Sequence, residues 1–188
     1  PAAKHSVWVP DDSVNDPALG ESYNPGPQVR GPFYAMPFAA DFISTSPGQV
    51  VQVMGQETET AYMIYDQDGK LSRVALLNLK YWAEGNGTRP ETTFGFPVDD
   101  GVEDVTMKRL HADAGAAAQG DDVDGTTISW AGETWSYEAD EGKGHLTGEP
   151  VEEEVNICEG MAYVPVPDSE AVIVYLSYGE AGWREGEL

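Results

Sequence analysis

Carboxylates are the groups with which this chain could most readily do chemistry, since 33 of its 188 residues are Asp or Glu. Two carboxylates facing each other across a glycosidic bond are what retaining and inverting glycosidases use. At this density acidic pairs arise everywhere, so adjacency alone selects nothing. The run Glu152-Glu153-Glu154 and the stretch 138–141 read as solvated turns, because runs of like charge face water. Asp121-Asp122-Val123-Asp124-Gly125 resembles part of a calcium loop, but the spaced oxygen ligands and the closing Glu are out of register. His5, His111 and His145 are far apart and outside any His-x-x-x-His or Cys-x-x-Cys pattern, which leaves no zinc set. No Gly-x-Ser-x-Gly elbow, phosphate-cradling glycine loop or dinucleotide fingerprint is present. Cys158 follows an apolar strand and reads as a small packed hydrophobe. The residues therefore assign no catalytic group, no metal site and no cofactor.

The aromatic residues are more informative. Trp130 and Trp135 stand in Ile128-Ser129-Trp130-Ala131-Gly132-Glu133-Thr134-Trp135, a tight strand-turn-strand whose indoles either pack in a core or stack on a sugar. Tyr34 opens a helix after Gly31-Pro32, where the unpaired first amides and the side chain are expected to face outward, a geometry suited to an anionic ligand. Asn86-Gly87-Thr88 is an N-glycosylation sequon in a polar stretch.

Ten Lys and Arg against 33 acidic residues leave a formal charge of -23. That field repels nucleic acid and anionic lipid, so neither is expected as a partner. No stretch approaches the roughly 18 apolar residues that span a bilayer, and residues 1–12 have neither a basic nor an apolar leader region. The expectation is a soluble, secreted chain from which any export signal has been removed. Five Trp and nine Tyr on an acidic background agree with a secreted carbohydrate-active protein. The single cysteine leaves the redox compartment open.

The elements that must position these residues follow from periodicity. Residues 1–32 are punctuated by Asp16-Pro17, Asn24-Pro25-Gly26-Pro27 and Gly31-Pro32, and read as an irregular lead-in. Over residues 33–43, Met36, Ala39, Ala40 and Ile43 recur at helical spacing beside Phe38 and Phe42, and Ser46-Pro47-Gly48 ends that helix. Its face of Met36, Ala39, Phe42 and Ile43 is too apolar for free solvent and implies a packing partner. From residue 49 onward, β-branched and aromatic runs alternate with Gly- and Asp-rich turns over 50–54, 60–65, 71–79, 92–98, 105–110, 126–130, 134–137, 155–158, 161–166 and 171–175. This predicts a mainly β fold, an antiparallel β-sandwich with one N-terminal helix and an irregular lead-in. The expected divisions are 1–48 for lead-in and helix, 49–178 for the sandwich and 179–188 for a mobile Gly- and Glu-rich tail.

Several segments in series resemble a known family: Arg73-Val74-Ala75-Leu76-Leu77-Asn78-Leu79, Arg89-Pro90, Val105-Thr106-Met107-Lys108-Arg109-Leu110, Ile128-Ser129-Trp130-Ala131-Gly132 and Val164-Pro165-Val166-Pro167-Asp168-Ser169-Glu170-Ala171-Val172. In order and spacing over roughly 49–175 they are similar to the C-terminal β-domain of family 79 glycoside hydrolases, the β-glucuronidase and heparanase-like group. Gln28-Val29-Arg30-Gly31-Pro32-Phe33-Tyr34-Ala35-Met36-Pro37-Phe38 resembles that family's approach to the last helix of its (β/α)8 barrel. The resemblance implies retaining hydrolysis at terminal glucuronic acid, performed by two glutamates on barrel strands that precede every residue of this chain. It also implies that Tyr34 and the backbone N–H of Ala35 help hold the substrate carboxylate, with Ala35 standing where Gly is common.

Two functions follow as expectations. One is the accessory C-terminal portion of a secreted β-glucuronidase-like hydrolase, partnered by an N-terminal barrel or self-associating, touching a uronic-acid-containing glycan and inactive alone. The other is a stand-alone secreted β-sandwich, carbohydrate-binding or immunomodulatory, that uses Trp130 and Trp135.

Overall fold

The computed structural model describes residues 8–9, 28–45, 48–118, 128–136, 144–146 and 151–179. Most of the lead-in with His5, the Ser46-Pro47 helix stop, the stretches 121–125 and 138–141 and tail residues 180–188 lie outside the described residues. The strands in chain order are β1 (Trp8–Val9), β2 (Gln28–Val29), β3 (Gln49–Gly55), β4 (Glu59–Tyr65), β5 (Leu71–Asn78), β6 (Glu91–Pro97), β7 (Val102–Ala112), β8 (Ile128–Trp130), β9 (Glu133–Trp135), β10 (Gly144–Leu146), β11 (Glu153–Glu154), β12 (Ile157–Cys158), β13 (Met161–Pro167) and β14 (Glu170–Tyr178). A 3-10 turn, Gly31–Tyr34, leads into the helix α1, Ala35–Ile43. The mainly β, antiparallel sandwich with one helix expected from the sequence is thus the fold of the described residues.

The chain divides into two compact units. One comprises Phe42–Lys80, Pro90–Lys108 and Glu152–Leu188. Its larger sheet runs β7-β14-β5-β4-β3, with β11 on the far side of β7, and its smaller sheet runs β12-β13-β6. Alternation builds the core between them. On β13, Ala162, Val164 and Val166 are fully buried, as are Val74, Val172 and Val174 of the larger sheet, and Leu76, Phe94, Phe96 and Met107 belong to the same cluster. β5 and β14 are buried on their other face as well, at Ala75 and Ile173, as befits central strands. The edge strand β3 is mostly exposed and slips register between Gln52 and Met54.

Two polar devices hold this unit in register. The β4–β5 turn closes on Asp66, whose Oδ1 accepts the N–H groups of Asp68 and Lys70, both at 2.9 Å, while Gly69 takes φ 78°. At the other end of β5, the buried Asn78 Nδ2 donates to Val166 O and to Asp168 Oδ1, each at 2.9 Å, tying one sheet to the other.

The helix is shorter than the expected 33–43, because the chain first makes the 3-10 turn Gly31–Tyr34 and takes up the α conformation only at Ala35. Pro37 is accommodated in the first helical turn, where its missing N–H removes no bond. Met36 and Ile43 are each 58% exposed, and Ala39 and Ala40 are exposed between them. Phe42, expected on that outer face, is instead buried on the same side as Phe38, four residues before it. Arg73 Nη1 donates to the carbonyls of Phe42 at 3.2 Å and Ile43 at 3.5 Å, placing a cation at the negative end of the helix.

The Tyr178 hydroxyl lies 3.0 Å from Leu71 O and 3.2 Å from Asp99 Oδ2, two acceptors for one proton. Burial, and then the Asp99 carboxylate, push the phenol up from 10.0 to about 12. A pKa raised by folding contributes stability that is complete below the unfolded value and is lost as pH rises through the folded one. Tyr178→Phe is expected to remove the part of the alkaline stability loss that falls between those two values. Urea denaturation of both forms at about pH 9 and about pH 11 measures it as a smaller pH-dependent drop in the variant.

Candidate functional site

The second unit comprises Pro1–Asp41, Tyr81–Arg89 and Arg109–Val151. Its centre is aromatic. Arg30, in an extended conformation, and Pro32 at the start of the 3-10 turn direct Tyr34 inward. The β8–β9 connection is a two-residue turn in which Ala131 and Gly132 take φ 50° and 82°, the left-handed pair that matches a hairpin's twist. That turn brings Trp135 onto Tyr34, with ring centroids 5.4 Å apart and planes at 79°. Phe33 lies 5.7 Å from Trp135, and Trp130 meets Phe38 edge to face at 5.2 Å.

The outward-facing Tyr34 expected from the sequence is therefore not found: the side chain is 1% exposed. Its hydroxyl accepts the Trp135 N–H at 3.1 Å and reaches the Trp135 carbonyl at 3.4 Å. The reason is the 3-10 turn, which rotates Tyr34 toward the β8–β9 hairpin before the α-helix begins. Ala35 is exposed at the first helical position, and its backbone N–H turns toward the Phe33 carbonyl. Trp130, 4% exposed, donates from Nε1 to Asp41 Oδ2 at 3.3 Å and offers no ring face for a sugar. Trp135 is half-buried within the same cluster. Tyr34 and Trp135 are thus brought together as a packed clasp, and Trp130 joins the core. Asn86 is exposed in a turn between Gly85 and Gly87, at φ 91° and 86°, positions with open space around them.

Among the described carboxylates of the sandwich unit, Glu59 is held by two side chains. Its Oε1 pairs with Lys80 Nζ and accepts from Thr92 Oγ1 at 3.1 Å, and Lys80 also donates to Thr92 Oγ1 at 3.0 Å. The hydrogen bond from Lys80 holds the Glu59 carboxyl below its usual range, and the same bond raises Lys80. A carboxylate so held stays ionised, which unsuits it for donating a proton. A cleft of about 220 Å³ opens on this unit, lined by apolar residues including Val53, Met54, Met63, Leu76, Phe94 and Phe96, and supplies no acid–base group.

An aromatic residue that the sequence reading passed over stands on the outer face of the smaller sheet. Tyr163 is 47% exposed and sits opposite Gly95 in register. A Cβ on Gly95 would lie 3.5 Å from Tyr163 Cε1 and 3.8 Å from Met161 Cε, so the phenol and the thioether pack over the glycine at van der Waals distance. The strict alternation of Met161-Ala162-Tyr163-Val164-Pro165-Val166-Pro167 was the signal that places it outward.

One unit is an antiparallel β-sandwich, and the other is centred on an aromatic clasp. Residues 61–173 match the glycosyl hydrolase family 79 C-terminal beta domain, and the chain belongs to that family. In the solved structure of a 4-O-α-L-rhamnosyl-β-D-glucuronidase from Fusarium oxysporum 12S, a similar fold recurs with TM-score 0.65 and 29% identity. That similarity covers 79% of this chain and 30% of that enzyme, so this chain spans under a third of the enzyme's length. The GH51 arabinofuranosidase from Xanthomonas axonopodis pv. citri aligns with TM-score 0.48 and 14% identity, over 83% of this chain and 28% of that one, a likeness too slight to carry an argument. No curated protein sequence matches the chain.

Tyr34→Phe keeps the rings in contact but leaves the part-buried Trp135 N–H without its acceptor. It is expected to cost about 1–3 kcal/mol in denaturant unfolding, with the near-ultraviolet aromatic signal retained.

Proposed function

We propose that this chain is the C-terminal accessory portion of a secreted, retaining β-glucuronidase-like hydrolase whose catalytic glutamates reside in an N-terminal (β/α)8 barrel. The observation that carries the reading is membership of the family 79 C-terminal β-domain, supported by 29% identity with the Fusarium glucuronidase. Within such an enzyme the domain braces the barrel and shapes one wall of the pocket for a terminal uronic acid. Ala35, exposed at the helix start, lines that wall, and its backbone N–H meets the substrate carboxylate by exchanging the Phe33 carbonyl toward which it turns in the chain alone. Tyr34 acts behind it, its hydroxyl locked onto Trp135 so that the turn keeps its shape. A glycan on Asn86 belongs to the same secreted reading, since the sequon is exposed.

The exposed stripe of Met36, Ala39, Ala40 and Ile43, at successive helical turns, supports a packing partner. Covering the exposed 58% of Met36 and Ile43 is worth about 1–2 kcal/mol each, and the barrel is the partner proposed for them. Met36→Glu with Ile43→Glu is expected to reduce co-purification of this chain with the barrel fragment. Unchanged co-purification removes α1 from that interface.

Release of chromophore from an aryl β-glucuronide tests the assignment. The 188-residue chain is expected to be inactive alone, and the enzyme containing the barrel active. Turnover by the chain alone that is lost on replacing one of its own acidic residues would overturn the reading.

A further inference from the structure

We propose that the outer face of the smaller sheet, centred on Tyr163, is a secondary glycan-binding platform that takes the apolar face of a neutral hexopyranose. The proposal rests on the reading of this chain as part of a glycan-degrading enzyme and places on it a sugar contact separate from the aromatic clasp. Three observations carry it. Tyr163 is paired in register with Gly95, and its Cε1 and Cδ1 lie 3.5 and 3.6 Å from where a Cβ there would stand, so the phenol packs over the glycine at contact distance while the residue stays 47% exposed. The outward positions nearest Tyr163, namely Thr93, Gly95, Pro97, Met161 and Pro165, are uncharged in a chain of formal charge -23, and the outward carboxylate of β6, Glu91, stands at the strand's far end. The inward positions of the same strands, Phe94, Phe96, Ala162, Val164 and Val166, are buried in the core. The platform is thus fixed from beneath by packing and does not have to be ordered when a ligand arrives.

Chemistry selects the occupant. A flat ring backed by glycine and flanked by proline and methionine presents polarisable surface with a negative π-face, complementary to the axial C–H groups on one side of a pyranose ring. A uronate is disfavoured there, because the chain's net negative charge repels it and no cation stands at these positions. The neutral residues of a polymer are what this face fits, with the acidic terminus left to the pocket proposed above.

Affinity gel electrophoresis of the intact protein with immobilised β-glucan, galactan or polygalacturonate tests the idea. Retardation is expected with at least one neutral polymer and none with polygalacturonate. Tyr163→Ala should weaken it about tenfold or more. Tyr163→Trp should preserve it. Tyr163→Leu, which still covers Gly95, should bind as poorly as the alanine variant at nearly unchanged Tm, separating a recognition role from mere cover of the glycine. Binding retained by the alanine and leucine variants, retardation by polygalacturonate alone, or no retardation by any polymer overturns the proposal. Aryl β-glucuronide turnover by the barrel-containing enzyme should be unaffected by all three substitutions, so failure of this inference and failure of the family-based reading are told apart.

Discussion

Strict two-residue alternation along β13 is the constraint on which much else depends. Because successive side chains of a strand point to opposite faces, Ala162, Val164 and Val166 enter the core without residual exposure while Met161, Tyr163 and Pro165 are carried outward. A one-residue slip against β6 would exchange the two sets, burying a phenol hydroxyl and exposing three core residues. Register is therefore strongly specified. The Asn78 carboxamide adds directional contacts, bridging from β5 to Val166 O and Asp168 Oδ1 where a shifted strand would offer the wrong atoms.

The two units use different means to reach order. The sandwich unit is held by interdigitated aliphatic side chains, which fill space without demanding particular angles. The other unit relies on a few large rings set edge to face and on hydrogen bonds to specific backbone atoms, as between Tyr34 and Trp135. Such a cluster tolerates substitution less well, since a phenol removed from between two other rings leaves both a void and an unpaired amide.

Strand positions and the β4–β5 turn were legible because they are local. The β-branched and apolar runs over 60–65 and 71–79 and the Asp66 to Gly69 turn residues state their own conformation, and the observed strands Glu59–Tyr65 and Leu71–Asn78 differ from them by a single residue at one end. The family was legible from ordered segments across the chain, and the match over residues 61–173 agrees. The orientation of Tyr34 was not legible, because it depends on a 3-10 turn and on a partner 101 residues away. The division of the helix was misread at Phe42 for a related reason. Periodicity showed two overlapping apolar stripes, and only tertiary packing decides that Phe38 and Phe42 turn in while Met36 and Ile43 turn out. Tyr163 escaped notice because a lone tyrosine in a strand is unremarkable until the glycine opposite it is known.

The edge strand β3 bears on how molecules of this chain coexist. Gln49–Gly55 contains no Lys, no Pro and no charge, Val50 and Val53 are about half exposed, and a single register slip is the only edge-blunting feature it shows. What it lacks locally is supplied at long range, since every copy carries the same large negative charge and two approaching edges repel before they can pair. Colloidal stability is in that sense outsourced from the strand to the whole surface. It is consequently conditional: concentrated salt shortens the reach of the repulsion to about 3 Å at 1 M, and acid neutralises its source. Either change leaves an unguarded β-edge beside exposed valines.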